Sequence, residues 1–273
     1  MGYSRRVLDL EHPGVMTSSL NYYWRLAATG GCFAAFGIGG LALSVLVFPL
    51  LLVFPGPART RHARLLIHKS FAAFLGLMEF VGIMRLEVIG GNRLRACRNT
   101  LVLANHPTLI DVVALISLMP QASCVVKQAL WQNPFLGGVV RAASYVSNSD
   151  PEQLIHDCAH DLAAGQPMII FPEGTRSQPG RPLHFLRGAA YIALKSGLPM
   201  LPVLIDCQPS TLTKRERWYQ IPHRRFHLRI QVLAPIHADA WVDAHEPQSL
   251  AGRKLTHALE THFTQELERH GRS

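Results

Sequence analysis

Cysteine is sparse: Cys32, Cys97, Cys124, Cys158 and Cys207 are scattered through 273 residues without a single C-x-x-C pair. That excludes a disulfide frame and a thiolate zinc site, and reads as reduced thiols facing a cytosol-like compartment. No His-Glu-x-x-His helix occurs, so no metal site is expected. No Gly-x-Ser-x-Gly elbow occurs either, which removes the usual route to an acyl-serine intermediate. Zinc-finger spacing and the aromatic–basic signature of RNA-binding sheets are missing, so nucleic acid is not an expected partner. Internal repeats and low-complexity tracts are absent. Acidic residues are also few, 18 against 27 Lys and Arg, for a net charge of +9. The excess favours an anionic partner: a phospholipid surface, a phosphorylated substrate or an acidic carrier.

Charge of either sign is missing from the stretch between Arg25 and Arg59. That run is long enough to span a hydrocarbon core of ~30 Å. It lies too far from the N-terminus, with flanks too basic on both sides, for an ordinary cleaved signal peptide. Ala27, Gly31, Ala35 and Gly39 recur every four residues, a stripe along which another helix can approach. Pro49 and Pro55 should break the helix near its end. A second apolar run, Leu65 to Met84, carries Lys69, Glu79 and its own small pair, Ala72 and Gly76. Residues 1–84 are therefore expected to be membrane-anchoring helices, a hairpin or one span plus an interfacial helix, with a buried soluble hairpin as the alternative. Arginines flank both ends, Arg5, Arg6 and Arg25 against Arg59, Arg61 and Arg64, and leave orientation open. The remaining domain is expected on the cytoplasmic side.

From residue 85 to 273 the pattern is strand and helix in alternation, which argues for a three-layer α/β domain around a largely parallel or mixed sheet. Strand candidates are 85–89, 100–104, 122–127, 145–147, 167–171 and, alternating like an edge strand, 228–232. Helices are expected over 109–119, from Asn133 past Arg141, over 152–165 and, with Leu255, Leu259 and Phe263 on one face, over 249–269.

Two stretches carry chemistry. In Asn105-His106-Pro107-Thr108-Leu109-Ile110-Asp111, Pro107 suits a first helical position and pushes His106 into an extended conformation outside the helix. The His106 ring can then fold over the first turn to meet Asp111, a carboxylate that interrupts an apolar run and needs a partner. A histidine held by a carboxylate is a general base of fixed tautomer. A plainer reading, an Asp satisfying a helix dipole beside an incidental His, stays open on these residues alone. The second stretch, Phe171-Pro172-Glu173-Gly174-Thr175-Arg176-Ser177, ends a buried strand, a favoured place for ligands in open α/β sheets. Gly174 lets backbone amides approach an anion, Thr175 and Ser177 add hydroxyls, and Arg176 offers a planar fork that Glu173 can hold. Taken alone, a tight turn with a surface salt bridge fits equally.

Together the two motifs, in this order and behind an apolar N-terminal segment, resemble the glycerolipid acyltransferase family, membrane enzymes that acylate lysophosphatidic acid and related acceptors. The resemblance runs from about 85 to 236 and takes in Lys127, Asn133-Pro134-Phe135-Leu136-Gly137, Phe185-Leu186-Arg187-Gly188-Ala189 and Leu198-Pro199-Met200-Leu201-Pro202-Val203. It implies His106 as base, Asp111 as its orienting partner, and Glu173 with Arg176 as the acceptor-binding pair. It further implies acyl-CoA or an acyl carrier protein as co-substrate, no cofactor, and a lyso-lipid acceptor at a phospholipid membrane. One departure stands out. Where the family usually carries an arginine of the phosphate site, this chain reads Tyr145-Val146-Ser147-Asn148. Arg141 or Arg187 can take over that charge, or the acceptor is another hydroxylated lipid such as a lyso-aminolipid. A hydrolase using the same pair and a non-catalytic lipid-binding adaptor are the alternatives of other classes. The basic, aromatic loop Lys214–Tyr219 with His223-Arg224-Arg225 suits anionic headgroups or an acidic carrier, or is simply solvated.

Overall fold

The computed structural model describes residues 13–243 and 245–270. Arg5 and Arg6, expected among the flanking charges, lie outside the described residues. Seven strands form one mixed sheet: β1 (Met84–Ile89), β2 (Leu101–Ala104), β3 (Ser123–Val126), β4 (Val146–Ser147), β5 (Met168–Ile170), β6 (Met200–Gln208) and β7 (Phe226–Val232). Their order is β1-β7-β6-β2-β5-β3-β4, with β6, β2, β5, β3 and β4 all parallel. β7 runs antiparallel to β6 and carries β1 parallel beside it. The alternation of 228–232 is thus that of an interior strand, not an edge. Its even residues, Phe226, Leu228, Ile230 and Val232, are buried, and β1 takes the outer position.

Side chains of β2 point alternately into two cores, as the two-residue period of a strand requires. Val102 and Ala104 join α2 (Gly56–Phe80), α3 (Gly91–Ala96), α4 (Asp111–Leu118) and α5 (Gly137–Ala142) on one face. Leu101 and Leu103 join α6 (Pro151–Ala163), α7 (Arg187–Ser196) and α8 (Gln248–His270) on the other. Asp150 caps α6 by accepting from the Glu152 and Gln153 N–H groups, and Leu255, Leu259 and Phe263 bury α8 as their spacing predicts. The three layers expected from the sequence are present.

The two N-terminal helices behave differently. α1 (Pro13–Ala42) continues through a wide π-type turn and a 3₁₀ segment to Val53, and Leu20–Val53 is the one stretch among the described residues long and apolar enough to cross a membrane. Only 11% of its most apolar window is buried. α2 starts at Gly56, well before the apolar run that announced it. Its Ala63, Ile67, Phe74, Leu75 and Met78 sit in the same core as β2 and α4. A cut at residue 84 therefore passes through one continuous core, because α2 is a layer of the α/β domain. Arg64, counted as a flanking charge, is buried in that layer. It donates to the Ala143 carbonyl at 2.9 Å and to Gln166 Oε1 at 2.9 Å, and lies 3.6 Å from Asp161. The small stripe on α1 is also turned the other way. Gly31 and Gly39 have open space, whereas Gly30 receives the Trp218 ring and Gly40 the Phe135 carbonyl, where a Cβ would come within 2.9 Å.

Candidate active site

Three neighbouring parallel strands, β5, β2 and β6, deliver their C-terminal ends to one edge of the sheet. The register pairs Leu103 with Ile170 and Ala104 with Val203. The chain leaving β2 at Asn105 therefore lies beside the chain leaving β5 at Phe171. Asn105 locks this edge: its side chain donates to the Ile205 carbonyl at 2.7 Å and accepts from the Ile205 N–H at 2.8 Å.

His106 follows, outside any helix, as Pro107 demands. Its Nδ1 is 2.8 Å from Asp111 Oδ2, and its ring stacks on Phe171 with centroids 4.2 Å apart. α4 begins at Asp111, four residues later than the proline suggested. Pro107 does not occupy the first helical position, because residues 107–110 form a turn around the Asp111 carboxylate. Thr108 donates its N–H to Oδ2 at 2.7 Å and its hydroxyl to Oδ1, while the Ile110 N–H donates to the Thr108 oxygen at 3.3 Å. Thr108 thus donates to both carboxylate oxygens, and His106 Nδ1 is their other partner. Burial pushes the Asp111 carboxyl above its ordinary value, and the His106 and Thr108 donors oppose that rise. Its side chain is wholly buried and that of His106 is 19% exposed. His106 Nε2 makes no hydrogen bond among the described residues.

The Phe171–Ser177 turn supports this one from the side. Glu173 Oε1 accepts the His106 N–H at 3.0 Å and the Ser177 hydroxyl at 2.7 Å, and the Ser177 N–H donates to the His106 carbonyl at 2.7 Å. His106 is thus held by ring and backbone alike. Burial raises the Glu173 carboxyl, against the Ser177 and His106 donors. Glu173 does not hold Arg176, as the sequence suggested. Arg176 Nη1 donates instead to the carbonyls of Leu212 and Thr213, both at 2.9 Å. The Leu212 carbonyl also accepts the Leu109 N–H at 3.0 Å, so the loop after β6 ties the two turns together. Gly174 has φ +63°, and a Cβ there would lie 2.6 Å from the Leu186 side chain. Its amide, expected to face an anion, is instead bonded to the Phe171 carbonyl at 3.0 Å. Thr175 is half-buried beside it.

The other expected residues make no hydrogen bond or ion pair with this cluster among the described residues. Lys127 is exposed after β3; Arg187 is exposed at the start of α7; exposed Arg141 donates to the Trp131 carbonyl at 2.6 Å. Asn148, in the position lacking an arginine, is exposed and accepts from the Gln128 N–H at 3.2 Å. Thr108, Phe171 and the Leu212–Thr213 carbonyls were not singled out from the sequence. Thr108 had a readable signal, a hydroxyl three residues before a buried acid; a backbone carbonyl has none. No group of three or more metal-type ligands exists among the described residues. Burial lifts the Cys124, Cys158 and Cys207 thiols to about 12, so none is a nucleophile at neutral pH.

Comparison with known proteins places residues 85–206 on the family model described as Acyltransferase. The chain is 23% identical over 228 residues to mouse 1-acyl-sn-glycerol-3-phosphate acyltransferase alpha, covering 81% of this chain and 74% of that protein. It is 24% identical over 263 residues to the human alpha enzyme, covering 93% and 85%. Its fold is similar to the crystal structure of the 1-acyl-sn-glycerophosphate acyltransferase PlsC from Thermotoga maritima, with TM-score 0.61, 19% identity and coverage of 89% of this chain and 97% of that one.

Proposed function

The chain carries an acyltransferase-family domain at residues 85–206 and is an O-acyltransferase, and on that premise we propose that it moves a fatty acyl group from a thioester to the hydroxyl of a lyso-lipid, with His106 as general base. The observation that carries the reading is the 2.8 Å contact between His106 Nδ1 and the buried Asp111, which leaves Nε2 open. Nε2 takes the proton of the acceptor hydroxyl as its oxygen attacks the thioester carbonyl. Asp111 fixes the tautomer and balances the imidazolium that forms. The carbon–sulfur bond breaks, and the imidazolium returns the proton to the leaving thiolate. Transfer is direct, without an acyl-enzyme intermediate.

The acceptor proposed is 1-acyl-glycerol-3-phosphate, the compound named in the relatives. Arg176 keeps Nε and Nη2 for its phosphate, since the carbonyl caps occupy only Nη1. Asn148, standing where the family usually has an arginine, favours a second reading in which the acceptor is a lyso-aminolipid or other hydroxylated lipid. The exposed apolar face of α1 and of the segment that continues it, including Leu20, Ile38, Val45 and Leu46, supports insertion in a phospholipid membrane; the site is proposed to lie on its cytoplasmic side. The donor is acyl-CoA or acyl carrier protein, and no cofactor is required.

The test incubates the purified protein with a panel of lyso-lipids and both thioester donors and reads products by mass. An acylated lipid and free thiol in equal amounts is the expected outcome. Free fatty acid alone would select a hydrolase, and no turnover with any pair would select the adaptor.

A further inference from the structure

Beyond Arg176 the chain turns at Gln178 and Pro179 and faces the loop that follows β6. Ser177, Gln178 and Pro179 on one side, Thr213, Lys214 and Arg215 on the other, and Arg181 enclose a cavity of about 120 Å³. Arg181, Lys214 and Arg215 are exposed, and none forms an ion pair among the described residues. The nearest acid along the chain, Glu216, accepts the Thr213 N–H at 3.0 Å. Three exposed cationic residues without an ion-pair partner among the described residues therefore line one small opening, which favours a multivalent anion. The cavity volume is below the ~300 Å³ of a site that encloses a whole ligand. It fits one compact group. A phosphomonoester, with a charge of about −1.5 to −2 at neutral pH and three acceptor oxygens, matches both size and charge.

The cavity also adjoins the backbone of His106. Ser177, one of its walls, donates its N–H to the His106 carbonyl, and Thr213, another wall, accepts from Arg176. We propose that this pocket seats the phosphomonoester of one of the two substrates and so registers that substrate against His106. The inference rests on the acyl-transfer reading. It assigns to Arg181, Lys214 and Arg215 the anchoring charge that Tyr145–Asn148 lacks. Two sources share the chemistry: the headgroup of a lysophosphatidate and the 3′-phosphate of coenzyme A.

The test uses the full chain in phospholipid vesicles and a triple variant, Arg181→Gln with Lys214→Gln and Arg215→Gln, all at exposed positions. Acceptors are lysophosphatidate and the matching monoacylglycerol; donors are acyl-CoA and its dephospho form. The triple variant is expected to raise KM for the phosphate-bearing substrate by about tenfold or more with kcat within about twofold, the loss of one or two charge-assisted bonds. The substrate lacking the phosphate should show no change. An acceptor effect assigns the pocket to the headgroup, and a donor effect assigns it to coenzyme A. Restoring the charge with Arg181→Lys and Arg215→Lys should recover most of the KM. Binding of glycerol 3-phosphate and adenosine 3′,5′-bisphosphate to unmodified and triple-variant protein, by calorimetry, reads the pocket independently of turnover. Unchanged KM for every substrate, or equal binding of both probes by the two proteins, overturns the proposal. Absence of transfer in the unmodified protein with probe binding lost in the variant would instead overturn the acyl-transfer reading and keep the pocket.

Discussion

The turn that follows β2 and the turn that follows β5 lie side by side, yet they are built differently. In the first, the Asp111 carboxylate is fully buried and its only partners among the described residues are His106 and Thr108, within five residues. In the second, the charged side chains reach outward: Glu173 to the backbone of His106, Arg176 to the loop at Leu212 and Thr213. A short, self-contained turn can fix one ring to a fraction of an ångström. A turn whose charges grip its neighbours sets where that ring stands in the site. The first is assigned the proton transfer and the second the positioning.

This division predicts a graded series. His106→Ala should lower kcat/KM for acyl transfer by about 10⁴-fold, the upper end for a positioned base. Unchanged thermal unfolding and vesicle binding should accompany it. Asp111→Asn comes next, at roughly 10³-fold in kcat, through loss of the fixed tautomer. Its effect on stability runs the other way. Because burial raises the Asp111 carboxyl in the folded state, the ionised form costs stability, which is fully present below the ordinary carboxylate range and lost as pH rises through the folded value. Asp111→Asn should therefore flatten the fall in unfolding temperature from that range upward; an equal or steeper fall would remove the buried charge from the account. Glu173→Gln should reduce kcat by about 10- to 100-fold, with the acidic limb of the pH–rate profile retained, since it displaces the ring without changing its chemistry. Arg176→Ala should act least on kcat and raise the acceptor KM by about tenfold. A loss in kcat matching that of His106→Ala would place Arg176 in the first turn's role and dissolve the comparison.

Much of this was legible in the sequence because period and punctuation are local. The buried face of α8 and the three layers follow from spacing, and Pro107 keeps His106 out of the helix, although His106 meets Asp111 across a turn at 107–110 and not over a helical turn begun at Pro107. What the sequence did not reveal depends on who packs against whom. Two apolar runs look alike as composition, yet α2 fills a core with Ile67 and Met78 while α1 leaves Ile38 and Leu41 exposed. Arg64 reads as a flanking charge until Asp161 and the Ala143 carbonyl, distant in sequence, enclose it. Gly30 and Gly40, not the regular stripe of Gly31 and Gly39, receive neighbours, since an arriving indole or carbonyl decides the face. Glu173 and Arg176 are three residues apart and suggest a pair. The backbone of His106 and the carbonyls of a loop some forty residues on were the partners available.

The most direct measurement is the transfer rate of the double variant His106→Ala with Asp111→Asn, set against His106→Ala alone. Groups that act as one unit are not additive. If Asp111 works only through the imidazole, the double variant should match the single one within about twofold. A further loss approaching the roughly 10³-fold predicted for Asp111→Asn by itself would mean that the carboxylate acts independently, and the base held by Asp111 would have to be abandoned.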